Sequence, residues 1–210
     1  MNKSTLLQAE AQFLSRYPKG FADPGMEYIR KKHNVDKLAE FAAESLVRER
    51  FNRPEFIVDT MHKIVSRSSM VSRFEKPRFR DFVKGLNSHE KEALTNALEL
   101  RLFGRAKRRG FEELVGMLAP HGLAKWSVVS VVPFYAAPTK EAFVKPTTAK
   151  GIIELLEVEG ITYKPQPTWE FYRGYVKLLQ EVKQTVSPSL GTNNAALSGF
   201  LMATLKGGLI

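Results

Sequence analysis

The chain has 210 residues, 43% of them hydrophobic and 26% charged, no cysteine, and a formal charge of +10. The absence of cysteine excludes disulfides, thiolate nucleophiles and thiolate metal sites, and it agrees with the reducing cytoplasm in which we expect the protein. The composition excludes general disorder, and no run approaches the roughly 18 apolar residues of a membrane span.

In chain order, Leu6, Leu7, Phe13, Leu14 and Tyr17 follow helical spacing. Gln8, Glu10 and Gln12 interrupt what would otherwise resemble a secretion signal. A turn around YPKGFADPG comes next. Asn34 is placed to cap a helix whose stripe is Val35, Leu38, Ala42 and Leu46. Pro54 suits a first helical position, ahead of Ile57, Met61, Ile64 and Val65. The serine-rich SRSSMVSRF then reads as a break. We expect it to divide an N-terminal helical arm, residues 1–70, from a main helical domain, residues 71–210.

Pro77 opens a helix with Phe79, Phe82, Val83 and Leu86 inward and Arg78, Arg80, Asp81 and Lys84 outward. LNSHEKEALTNALELRLFG is a further helix, capped by Asn87 or Ser88, with Leu94, Ala97, Leu98 and Leu102 on its stripe and Gly104 at its end. Another starts at Phe111, with Leu114, Val115 and Leu118 inward. Residues 126–132 are rich in β-branched side chains and would suit a strand. No partner strand is evident, so a buried helix ended by Pro133 is preferred. A short helix capped by Thr147 or Thr148 closes at Gly160. A long one carries Trp169, Tyr172, Val176, Leu179 and Val182, with Phe171 off that stripe. The last, capped by Asn193 or Asn194, carries Leu197, Phe200, Leu201 and Leu205 and stops at Gly207-Gly208. The sum is an all-α fold, a compact multi-helix domain of about ten helices, with Leu98, Leu114, Trp169, Leu179 and Leu201 in its core.

The segments FEKPRFRDFV, FVKPTTAKGIIELLEVEGITYKPQPTWEFYRGYVKLL and NNAALSGFLM resemble an uncharacterised family of bacterial proteins, from about residue 74 to the C-terminus. The resemblance implies a fold unit and no particular activity.

Charge is concentrated. Residues 45–110 hold 16 Lys/Arg against 8 Asp/Glu, which points to an anionic partner. GRAKRRG, residues 104–110, reads as a short exposed connection between helices. The negative end of the preceding helix accounts for one or two of its cations. The rest suit phosphate contacts. The expected nucleic-acid surface is therefore Arg78, Arg80, Lys84, Arg101, Arg105, Lys107, Arg108 and Arg109. No helix-turn-helix signature supports base-sequence readout. A second anion site is expected where Lys145 and Lys150 flank the helix start at Thr147 and Thr148. Ordinary threonine capping is the simpler account of that segment.

His33, His62, His89 and His121 have no metal-ligand spacing, and no catalytic motif names a reaction. We expect no metal and no cofactor. The expected partners are nucleic acid or another polyanion, or a second copy of the chain joined through the N-terminal helices.

Overall fold

In the computed structural model, which describes residues 1–205, the apolar stripes become eleven α-helices, with no strand among the described residues. They are α1 (Lys3–Arg16), α2 (Glu27–His33), α3 (Val35–Ser45), α4 (Pro54–Arg67), α5 (Glu75–Gly85) and α6 (Ser88–Phe103). The remainder are α7 (Lys107–Leu118), α8 (Trp126–Ala136), α9 (Pro146–Leu155), α10 (Trp169–Thr185) and α11 (Asn194–Leu205).

Local chemistry explains several starts. Asn87 Oδ1 accepts from Glu90 N at 3.0 Å, and Glu90 Oε2 accepts from Asn87 N at 2.8 Å, a reciprocal cap for α6. Pro54 is the first residue of α4, as its missing N–H allows. Asn193 Oδ1 caps α11 by accepting from Ala195 N and Ala196 N. Asn34 makes no such cap. It takes a left-handed φ of +45° between α2 and α3. Helix α2 had no counterpart in the sequence reading, because it buries no residue and so shows no stripe. Helix α5 begins at Glu75, two residues before Pro77. The expected stop at Gly207-Gly208 and the side chain of Leu205 lie outside the described residues.

Helix α8 is the centre of the body. Every residue from Val128 to Tyr135 is buried, so its β-branched run is a helix apolar all round and not a strand. Ser130 Oγ donates to Trp126 O at 2.6 Å and accepts from Val144 N at 3.0 Å. The helix also continues through Pro133 to Ala136 instead of ending there.

Residues 1–70 do not stand apart as an arm. Helices α3 and α4 pack on α8, α4 also packs on α5 and α6, and α1 packs on α11, where Phe13 meets Phe200 edge-on at 5.4 Å. Leu6, Phe13, Ile57 and Ile64 join the same hydrophobic cluster as Leu98, Leu114, Leu179 and Leu201. The break after α4 is real, but it is no linker. Ser68 is fully buried, and its hydroxyl lies 3.3 Å from that of Tyr135. The apolar stripes expected to join two copies are thus covered within one chain. Of the expected core, Trp169 is only half-buried, while Phe171 and Tyr175 are buried and stack at 5.9 Å.

Candidate nucleic-acid interface

The basic stretch 104–110 is mostly not a loop. Helix α7 begins at Lys107, four residues before Phe111, so Lys107, Arg108 and Arg109 form its first turn. Gly110 lies inside α7 and is buried against α6. A Cβ there would sit 2.5 Å from Arg101 N and 2.7 Å from Ala97 O, so only glycine lets the two helices approach this closely.

A helix N-terminus disfavours cations, and carboxylates answer two of these. Arg108 pairs with Glu112 at 2.8 Å and Glu170 at 2.9 Å, and Arg109 pairs with Glu113 at 2.7 Å. Arg105 is exposed, with no ion pair or ring contact among the described residues. Lys107 is half-buried, and its charge helps to lower the pKa of Glu141.

Arg101 leaves the expected surface altogether, being only 1% exposed. Its position on α6 faces α10 and the segment after α8. Nη1 donates to Glu141 Oε1 at 3.1 Å and Nη2 to Glu141 Oε2 at 2.6 Å. Its guanidinium carbon lies 5.2 Å from the ring centre of Trp169 and 5.0 Å from that of Tyr172. Tyr172 Oη donates to Glu141 Oε2 at 2.7 Å. Burial opposes ionisation of Glu141, but the hydrogen bonds and charge of Arg101 outweigh it and hold the carboxyl below its ordinary range. Burial, followed by the neighbouring carboxylate, raises the Tyr172 phenol far above its ordinary value. This is a structural ion pair, inaccessible to a polyanion.

The α5 residues lie elsewhere. Arg78 Nη2 donates to His121 O at 3.0 Å, Arg80 pairs with Asp81 at 2.9 Å, and Lys84 is exposed with no such partner. His121 packs on Phe82 at 4.7 Å, beside the start of α6. Arg105 follows the other end of α6. At 1.5 Å per residue the two groups are roughly 24 Å apart. The eight residues expected to form one surface therefore form two separate groups and one buried pair.

The fold instead brings the end of α6, two residues before Arg105, to a turn whose arginines the sequence reading did not nominate. Arg48, Arg50 and Arg53 lie in and after the turn Arg48–Arg50, ahead of α4. Phe51 packs edge-on against Phe103 at 5.5 Å, and Arg48 reaches Glu99 at 3.5 Å. Arg50 and Arg53 both lie against the ring of Phe56, at 5.2 and 5.3 Å. Phe103, the last residue of α6, is 41% exposed. The corner thus carries four arginines, an open aromatic ring and two nearby carboxylates, Glu49 and Glu99. The alternation of Arg and Phe in RERFNRPEF was visible in the sequence. Its meeting with Phe103 depends on the packing of α4 against α6.

The residues of the second expected anion site lie around the start of α9. Helix α9 starts at Pro146 with Lys145 at its cap position and no side-chain cap from either threonine. Thr147 is exposed, whereas Thr148 is buried and donates to Met202 Sδ at 3.5 Å. Lys150 Nζ sits 4.8 Å over the ring of Tyr163. Among the described residues no group of histidines and carboxylates could hold a metal ion, and no helix is long and apolar enough to cross a membrane. Comparison with known protein families, curated proteins and solved structures finds no match to this chain.

Proposed function

We propose that the protein binds nucleic acid without reading base sequence, through the corner where α6 ends and the turn before α4 begins. One observation carries the reading: the partly exposed ring of Phe103, two residues before Arg105, packs on Phe51, in the stretch whose Arg50 and Arg53 lie on the ring of Phe56. Arginines contact phosphates, and an aromatic ring stacks on any base, so the pair suits a strand whose bases are unstacked. Single strands are therefore preferred to duplex. Neither Glu99, partly engaged by Arg48, nor Glu49 cancels the excess of positive charge.

A competition titration tests this. A labelled single-stranded oligonucleotide bound to the full chain is displaced by unlabelled single strand, by duplex of equal length, and by inorganic polyphosphate. The expected order is single strand first. Phe103→Ala weakens the single strand and leaves polyphosphate unchanged, since base stacking is worth about 1–3 kcal/mol and polyphosphate has no base. Equal loss for both competitors, or no binding at low salt, contradicts the proposal.

A further inference from the structure

A cleft of about 730 Å³ opens between the end of α1, helix α2 and α11. That volume is within the range of small-molecule sites, roughly 300–1,000 Å³. Its walls are largely apolar, with Phe21, Met26, Ile29, Met70, Phe143 and Met202 among them. Helix α2 forms one wall with no fully buried residue, its Ile29 half-buried against the core.

The charged groups on the lining are mostly basic. Lys32 and His33 reach the cleft from α2, and Lys145 reaches it from the start of α9. His33 Nδ1 is 2.9 Å from Ser69 Oγ, which fixes the imidazole against the loop after α4. Burial lowers the pKa of His33, and the charges of Lys32 and Lys145 lower it further, so both ammonium groups act on the same spot. Arg30 also borders the cleft, but its Nη1 donates to Phe21 O and Asp23 O. Asp36, from α3, is the one carboxylate on the lining, and it does not balance the lysines.

We infer that this cleft is a binding site for a small amphipathic anion, a single carboxylate head on Lys32 and Lys145 with an apolar body between α2 and α11. The basic groups supply charge for one head group, and the rest of the lining is mostly apolar, with Thr192, Asn193 and Ser198 as neutral polar groups along one wall. Against the apolar walls, unpaired polar atoms on a ligand body would lose their water without replacement. A hydrocarbon or aromatic carboxylate meets both halves of the site. This inference is independent of the nucleic-acid corner, which shares no residue with the cleft.

The experiment is calorimetric titration of the full chain with dodecanoate below its micelle concentration, beside dodecanol and dodecyltrimethylammonium. The expected result is one dodecanoate per chain, dodecanol at least tenfold weaker, and no binding of the cation. The double variant Lys32→Ala, Lys145→Ala loses at least tenfold in dodecanoate affinity and leaves dodecanol unchanged. These are exposed positions, so the variant tests the site without risk to the fold. Met202→Trp fills the cleft and abolishes binding. Absence of binding, equal affinity for the alcohol, or multiple equivalents on one chain overturns the inference. Unchanged affinity in the double lysine variant overturns it too.

Discussion

Arg101 and Arg105 are one helical turn apart in the sequence and have opposite roles. Both read as cations at the end of a helix. Arg101 is taken into the core by Glu141, Tyr172 and Trp169, whereas Arg105 follows the last turn and stays in water. Breaking a buried pair by removing one partner costs about 3–5 kcal/mol, because the other charge is left buried. Arg101→Ala is therefore expected to lower unfolding stability by that amount in urea denaturation, and Arg105→Ala by less than about 0.5 kcal/mol. Similar losses for both would mean that the Arg101 pair is not held as described. Glu141 adds a pH dependence. Its folded pKa is depressed, so the unfolded chain binds more protons in acid. That contribution is present above the unfolded carboxylate value of about 4.3 and is lost as pH falls through the folded one. The acid limb of a stability-versus-pH curve should become shallower in Glu141→Gln. A sequence does not show which cation will meet a buried carboxylate forty positions away, so this residue could not be assigned from charge alone.

Elements were more legible than residues, and for a physical reason. A helix with one covered face leaves a stripe at the helical period, and α3, α4, α6, α7 and α10 all do so. The element that was missed, α2, lacks that stripe because none of its residues is fully buried, and α8, expected as a buried helix, is covered on every side and runs past its expected end at Pro133. The start of α7 was misplaced because Gly110 looked like a loop residue. It is a contact residue instead, and the helix runs through it. Gly110→Ala is a sharp test. Alanine is the better helix former by about 1 kcal/mol, so an isolated helix would gain. Here its Cβ meets backbone atoms of α6 at 2.5 and 2.7 Å, which must shift. We expect a net loss of about 1–3 kcal/mol in thermal or urea unfolding, the usual range for overpacking. A gain in stability would show that α6 and α7 are not as close as described. Asn87→Ala, which removes half of the reciprocal cap on α6, should cost about 0.5–2 kcal/mol.

At the scale of the whole molecule, the fold redistributes a charge excess that looks continuous along the chain. Residues 45–110 carry a surplus of basic residues, yet α6 holds the α5 group and the Arg105 group roughly 24 Å apart. Carboxylates at Glu112, Glu113 and Glu170 answer Arg108 and Arg109. What remains open is a small corner, so the nucleic-acid contact is expected to involve few phosphates. The surplus was legible in the sequence, but its division was not, since it follows from the lengths and packing of α4, α6 and α7. The most direct measurement is the affinity of the full chain for a short labelled single strand as a function of salt, for the wild type, Arg105→Ala and Phe103→Ala. Contacts from Arg50, Arg53 and Arg105 give a slope of log K against log salt near −2, at roughly 0.7 per phosphate. Arg105→Ala should reduce that slope by about 0.7, and Phe103→Ala should weaken binding at every salt concentration while leaving the slope intact. A slope unchanged by Arg105→Ala, together with an affinity unchanged by Phe103→Ala, would contradict the assignment of this corner.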